Sequence, residues 1–137
     1  MKLFSRPTSP LTLARDFTMD PRVKEAIELV ETNLKAGLRA DHVARQLGLS
    51  VSRLQHLFKN ETGTTLIRYL HEVRIERARK LLEETHLSVK QIVSEVGASD
   101  TSHFIRDFRK ARGLSPKRYR MNFLSNKKST TETKKIF

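Results

Sequence analysis

An all-α fold, two helix-turn-helix subdomains joined by a long linker helix, follows from three observations on this chain. First, the segment from Thr64 to Glu84 carries apolar residues at Leu66, Leu70, Val73, Ala78, Leu81 and Leu82, with Arg74, Glu76, Arg79 and Lys80 between them, a near-helical period. Second, a short helix, a glycine turn and a second short helix stand on each side of it. Third, the two flanking patterns repeat. Shifted by 50, Ser52, Phe58, Lys59, Gly63, Arg68 and Tyr69 fall on Ser102, Phe108, Arg109, Gly113, Arg118 and Tyr119, whereas before the turn Val43 and Gly48 fall on Ile92 and Gly97 with a shift of 49. The copies therefore differ by one residue inside the turn, and two independent patterns agree on one architecture.

Composition narrows the function classes. A 37% apolar content over 137 residues supports one domain, or two small ones sharing a helix. The absence of Cys excludes disulfides, thiolate nucleophiles and Cys-ligated zinc. No window approaches the roughly 18 to 20 apolar residues of a membrane span, and the first seven residues lack the apolar run of a signal peptide, so a soluble cytoplasmic protein is expected. The formal net charge is +12, with 11 Lys/Arg against 8 Asp/Glu up to Val73 and 16 against 7 from Arg74 on. That excess points to a polyanionic partner, nucleic acid before membrane. A merely solubilising surface is the alternative.

Residues 1–19, with Pro7 and Pro10 and no sustained period, read as a flexible arm or linker remnant. Asp20-Pro21 opens a helix, Asp as N-cap and Pro at the first position; Val23, Ile27, Val30 and Leu34 form its buried stripe and Gly37 ends it. A short helix from about Ala40 to Leu47 turns Val43, Ala44 and Leu47 inward, and Ser50 caps the helix after Gly48. Leu54, Leu57 and Phe58 hold that next helix to the core, while Ser52, Gln55, His56 and Lys59 share a polar side.

Thr64 or Thr65 caps the linker, whose roughly twenty residues make a rod of about 30 Å. The pattern then restarts with Ser88 as N-cap, Val89, Ile92, Val93 and Val96 inward and Gly97 at the turn. Phe104 and Phe108 back the next helix, and Ser115-Pro116 starts a short final one. The predicted helices lie near 20–36, 40–47, 51–61, 65–84, 88–96, 101–112 and 116–123. They group into a first subdomain over 20–63, a linker over 64–85 and a second subdomain over 86–123. The run from Ser125 to Lys135 is polar with four Lys, so 124–137 is expected to be a basic disordered tail.

A helix-Gly-turn-helix unit with an apolar-backed second helix fits a DNA-binding helix-turn-helix, whose second helix enters the major groove. Two such units on a rod of about 30 Å suit successive major grooves, since one turn of B-DNA is about 34 Å. No two-fold symmetry is needed, so the site can be asymmetric.

Over about Val23 to Arg120 the chain resembles the AraC/XylS family of bacterial transcription regulators. Arg74-Ile75-Glu76-Arg77-Ala78-Arg79-Lys80-Leu81-Leu82 is similar to the family's linker helix. Gly97, Asp100, Ser102, Phe104, Arg106, Phe108, Gly113, Ser115, Pro116, Tyr119 and Arg120 match its signature. The resemblance implies a bilobed DNA-binding module of a transcription factor, most often an activator contacting RNA polymerase. It further implies base reading by Ser52, Gln55 and His56 in the first recognition helix and by Thr101, Ser102, His103 and Arg106 in the second. Chemistry supports two of these separately, Gln55 for adenine and Arg106 for guanine O6 and N7. The alternatives are a solvated face for Gln55 and, for Arg106, a phosphate contact or an ion pair with Asp107 or Asp100.

Lys59, Arg109, Lys110, Arg112, Lys117, Arg118 and Arg120 are the phosphate-contact candidates. Three positions depart from the family pattern: Ala98 replaces an aromatic, Val93 a small Ala, and Arg39 a Ser or Thr cap, the last losing a bond worth about 1 kcal/mol. Ile105 reads as partly core, with contact to a thymine methyl as the alternative.

The five His form no i, i+4 pair, Glu83-Glu84 face different directions, and no glycine loop cradles phosphate, so neither a metal, a cofactor nor an enzymatic activity is expected. No sensor domain fits before Asp20, so control would come through abundance, an absent N-terminal domain or a partner. The expected partners are double-stranded DNA and RNA polymerase, the chain acting as a monomer because no apolar helix face is left over. The rival readings are a non-specific architectural DNA-binding protein and a polymerase-docking interaction module.

Overall fold

A computed structural model describes residues 19–136, with side chains to Lys128; the N-terminal arm expected over 1–19 lies, but for Met19, outside the described residues. Among these the chain is all helical. The helices are α1 (Pro21–Thr32), α2 (Ala40–Gln46), α3 (Val51–Thr62), α4 (Leu66–Glu84), α5 (Val89–Glu95), α6 (Thr101–Arg112) and α7 (Pro116–Ile136), with a 3-10 turn at Leu34–Ala36. They form two compact units: one combines residues up to Asn33 with Leu38–His71, the other Leu34–Gly37 with the chain from Glu72 on.

The boundary between the units falls inside α4, so this helix is more than a spacer. Its first turns close the first unit and the remainder opens the second. The buried residues record the change: Leu66, Tyr69 and Leu70 lie on one side, and Ile75, Ala78, Leu81 and Leu82 on another, roughly 130° round at about 100° per residue. Val73 is only half-buried and Ile75 is buried instead. A single continuous stripe, the simplest reading of the period, misses this change of face.

In the first unit α1, α2 and α3 enclose Val23, Ala26, Val30, Val43, Leu54 and Phe58, each fully buried. Asp20 caps α1, its Oδ1 accepting from Arg22 N-H at 2.9 Å, while its own N-H donates to Glu61 at 2.7 Å. The helix expected to reach residue 36 stops at Thr32. Thr32 Oγ1 donates to the Glu28 carbonyl and Asn33 Nδ2 to that of Leu29, and such side-chain bonds compete with helix propagation. Leu34 consequently leaves the α1 stripe and joins the core of the second unit. Leu47 and Leu57, expected inside, are half-buried.

The two turns use the same hydrogen bonds. After α2, Leu49 N-H donates to Ala44 O at 2.9 Å and Gly48 N-H to Arg45 O at 3.2 Å; after α5, Ala98 N-H donates to Val93 O and Gly97 N-H to Ser94 O, both at 3.1 Å. This is a Schellman ending with glycine at positive φ, 70° at Gly48 and 75° at Gly97. After the turn the copies diverge. Ser50 Oγ accepts from Arg53 N-H at 3.1 Å to cap α3; Asp100 Oδ1, one residue later, accepts from His103 N-H at 2.9 Å to cap α6. The one-residue difference is therefore a longer link to a different cap. The entry caps differ too. Ser88 and Gln91 form a reciprocal capping box on α5, whereas on α2 Arg39 makes no side-chain cap bond and only its N-H is satisfied, by His42 Nδ1 at 3.3 Å.

The second unit is tied by an ionic lattice on α4. Arg79 pairs with Glu76 at 2.6 Å and with Glu83 at 2.7 Å, and Arg112 reaches Glu76 at 2.7 Å. The hydrogen bond from Arg79 holds the Glu76 carboxyl below its ordinary value. Each unit then repeats one further device. Phe58 packs on Tyr69 with ring centroids 5.6 Å apart, and Phe108 on Tyr119 at 5.7 Å; each Tyr hydroxyl donates to a glutamate of the unit's opening helix, Glu31 and Glu83 respectively.

The last helix departs most from expectation. Instead of ending near 123, α7 runs to Ile136. No Pro or Gly follows Pro116, so nothing interrupts the backbone ladder and the polar run continues it. Met121 and Leu124 are exposed on α7 at 62% and 50%, so an apolar patch is left over after all.

The turn glycines make a testable pair. A Cβ at Gly48 meets nothing within 4 Å, whereas one at Gly97 would overlap the Leu34 carbonyl oxygen and lie 2.9 Å from Gly37 N. Gly48→Ala should lower unfolding free energy by only about 1 kcal/mol, from the positive φ, and Gly97→Ala by about 3 kcal/mol or more. Urea denaturation of the two variants tests this, and equal losses would contradict the packing of Gly97 against the 3-10 turn.

Candidate nucleic-acid interface

Each second helix has one apolar side and one polar side. In α3 Leu54 and Phe58 are buried, and Ser52, Arg53, His56 and Lys59 are exposed; in α6 Phe104 and Phe108 are buried, and Thr101, Ser102, His103, Arg106, Arg109 and Lys110 are exposed. Burying a Leu or a Phe contributes about 2 to 3 kcal/mol. Two such anchors per helix therefore decide which side faces solvent. Ile105 is half-buried, in keeping with its partly core reading.

The candidate base-reading residues are not equally free. Arg106 has no hydrogen-bond or ion-pair partner among the described residues, and neither Asp100 nor Asp107 holds it. His103 Nδ1 lies 3.1 Å from Asp107 Oδ2, which leaves Nε2 for a ligand. Gln55 differs from the expectation. It is half-buried, and its Oε1 accepts from the N-H of Leu66, the first residue of α4, at 3.2 Å. A bidentate pair with adenine needs both the oxygen and the NH2 of Gln55, and this bond already takes one of the oxygen's two lone pairs and fixes the direction of the amide. The second copy has Ile105 and Pro116 at the matching positions; Pro has no N-H to satisfy, and the partner glutamine is absent with it.

The phosphate candidates divide in the same way. Lys59, Arg109, Lys110, Lys117 and Arg118 are exposed. Arg120 does not belong with them: its Nε donates to Leu82 O at 3.0 Å, Nη1 to Leu87 O at 2.6 Å, and Nη2 to Thr85 O at 3.1 Å and Leu81 O at 3.5 Å. A guanidinium there bonds carbonyls of the last turn of α4 and of the loop that follows it, and suits the negative end of the helix dipole. Arg112 is likewise drawn to Glu76. Charge composition marks both as basic, but only tertiary structure assigns their protons.

One exposed residue of α3 escaped the sequence reading. Arg53 stands 50 residues before His103, so the repeat itself carried the signal. It borders an open depression with Ser50, Ser52, His56, Leu57 and Asn60.

A family model described as a helix-turn-helix domain matches residues 43–122. A transcriptional regulator of Chromobacterium violaceum, whose structure is described as containing an AraC-type DNA-binding domain, is 35% identical, covers 75% of this chain and 92% of that one, and superposes with a TM-score of 0.67. The chain belongs to the AraC-type helix-turn-helix family. The xylose operon regulatory protein of Escherichia coli K12 is 35% identical over 101 residues, 74% of this chain but 26% of that regulator's length. The DNA-binding domain of AdpA, a global transcriptional factor solved in complex with a target DNA, shares the fold at a TM-score of 0.72, with 22% identity and coverage of 78% of this chain and 96% of that one. These AraC-type relatives are regulators and no catalytic family is indicated. Among the described residues no helix is long and apolar enough to cross a membrane.

Arg120→Ala should lower the unfolding free energy of the AraC-type module by about 2 to 4 kcal/mol, because several charge-assisted bonds to partly buried carbonyls are lost. Lys117→Ala should change it by less than about 0.5 kcal/mol. Conversely, Lys117→Ala should flatten the salt dependence of DNA binding and Arg120→Ala should not. Urea melts and binding titrations at several salt concentrations separate the two roles.

Proposed function

We propose that this chain is the DNA-reading module of a sequence-specific transcription regulator, acting on double-stranded DNA by placing α3 and α6 in successive major grooves of a bipartite, asymmetric site. The observation that carries the proposal is the duplicated unit itself: twice, a Schellman turn and a side-chain cap present a helix with one side buried, by Leu54 and Phe58 or by Phe104 and Phe108, and the other exposed and polar. A DNA-binding domain of the same fold, described as in complex with a target DNA, supports DNA as the ligand. Ser52 and His56 on α3 and Thr101, Ser102, His103 and Arg106 on α6 face base edges in this reading, with Arg106 on guanine. Lys59, Arg109, Lys110, Lys117 and Arg118 hold the backbone.

The module acts as an activator that contacts RNA polymerase, in the cytoplasm and associated with the nucleoid. Its +12 charge opposes self-association and supports binding as a monomer.

Selection from a random duplex library is the test. Two short boxes about one helical turn apart are expected, with specificity lost in Arg106→Ala. Five phosphate contacts predict a slope of log K against log salt of about −4.5. Equal, salt-sensitive binding to selected and scrambled duplexes would overturn the proposal in favour of a charge-driven architectural protein.

A further inference from the structure

We infer that Arg53 is the principal base-reading residue of α3, recognising a guanine through its guanidinium, in the place the sequence first suggests for Gln55. The inference rests on the DNA-reading function proposed above. Three features of the first unit carry it. The Gln55 oxygen is engaged at the start of α4 by Leu66 N-H at 3.2 Å, so Gln55 is a positioning residue that joins α3 to α4. Arg53 is exposed on the first turn of α3, and its guanidinium has no hydrogen-bond or ion-pair partner among the described residues. Its neighbours at the same surface are Ser52, His56 and Asn60, polar groups spaced for one helix side.

The internal repeat sharpens the point. Position 53 corresponds to His103, and position 57 to Asp107. In the second copy the carboxylate of Asp107 lies 3.1 Å from the His103 ring and holds it. In the first copy Leu57 stands where that carboxylate would be, so no acid on the next turn competes for the Arg53 guanidinium. A planar, permanently charged fork near the start of a recognition helix matches the paired acceptors O6 and N7 of guanine.

The experiment uses the full chain and the duplex it selects. Arg53→Ala and Arg53→Lys are titrated against that duplex and against duplexes with each first-box guanine replaced in turn, with Arg106→Ala as the reference in the other box. At one first-box guanine, Arg53→Ala should weaken binding about tenfold or more. On the duplex lacking that guanine it should have little further effect, and Arg53→Lys should not restore the preference. A uniform loss across all first-box sequences with a shallower salt slope would make Arg53 a phosphate contact and overturn the inference, as would no loss at all. If Arg106→Ala loses specificity and Arg53→Ala does not, only this inference fails. If neither variant affects a sequence preference because none exists, the DNA-reading proposal itself fails.

Discussion

A helix-turn-helix pair has too little apolar surface to fold by itself, because its two short helices meet along one side and leave that side open. It needs a helix before it and a helix after it. In this chain α4 supplies both: its first turns cover α3 through Leu66 and Tyr69, and its later turns offer Ile75, Ala78 and Leu82 to the second unit. The rest of the structure depends on that double use. Tyr69 and Tyr119 each close a unit by packing on its central Phe and donating to a glutamate of the opening helix, with burial raising both phenols above their ordinary value.

Much of this was legible in the residues. The offset of 50 after the turns and 49 before them located two copies, and the caps at Asp20, Ser50 and Ser88 form as their spacing suggests. Such features are local, decided by a side chain and an N-H two or three residues away. What escaped was tertiary. The angle between the two buried sides of α4, the transfer of Leu34 from α1 to the second core, and the capture of the Gln55 oxygen by Leu66 all depend on residues distant in sequence or brought together by packing. The length of α7 escaped for a different reason: a polar composition argues against a packed core, yet it does not break a helix that has already started.

Charge shows the same division. Arg74, Arg79, Arg112 and Arg120 read from sequence as part of one basic excess, but in the fold they bond to the Val96 carbonyl, to Glu76 and Glu83, to Glu76, and to the end of α4. They hold the second unit together. The cations left exposed are distributed unequally: besides the engaged Arg112, the last turn of α6 carries Arg109 and Lys110, that of α3 only Lys59. In the proposed complex the second unit therefore supplies most of the electrostatic attraction, and the first depends more on its directional contacts.

The central claim is that one chain uses both recognition helices on one duplex. Hydroxyl-radical footprinting of the complex on its selected site tests it most directly. Two protected patches on one face of the duplex, separated by about ten base pairs, are the predicted result. A single patch, or even protection along the whole fragment, would contradict it.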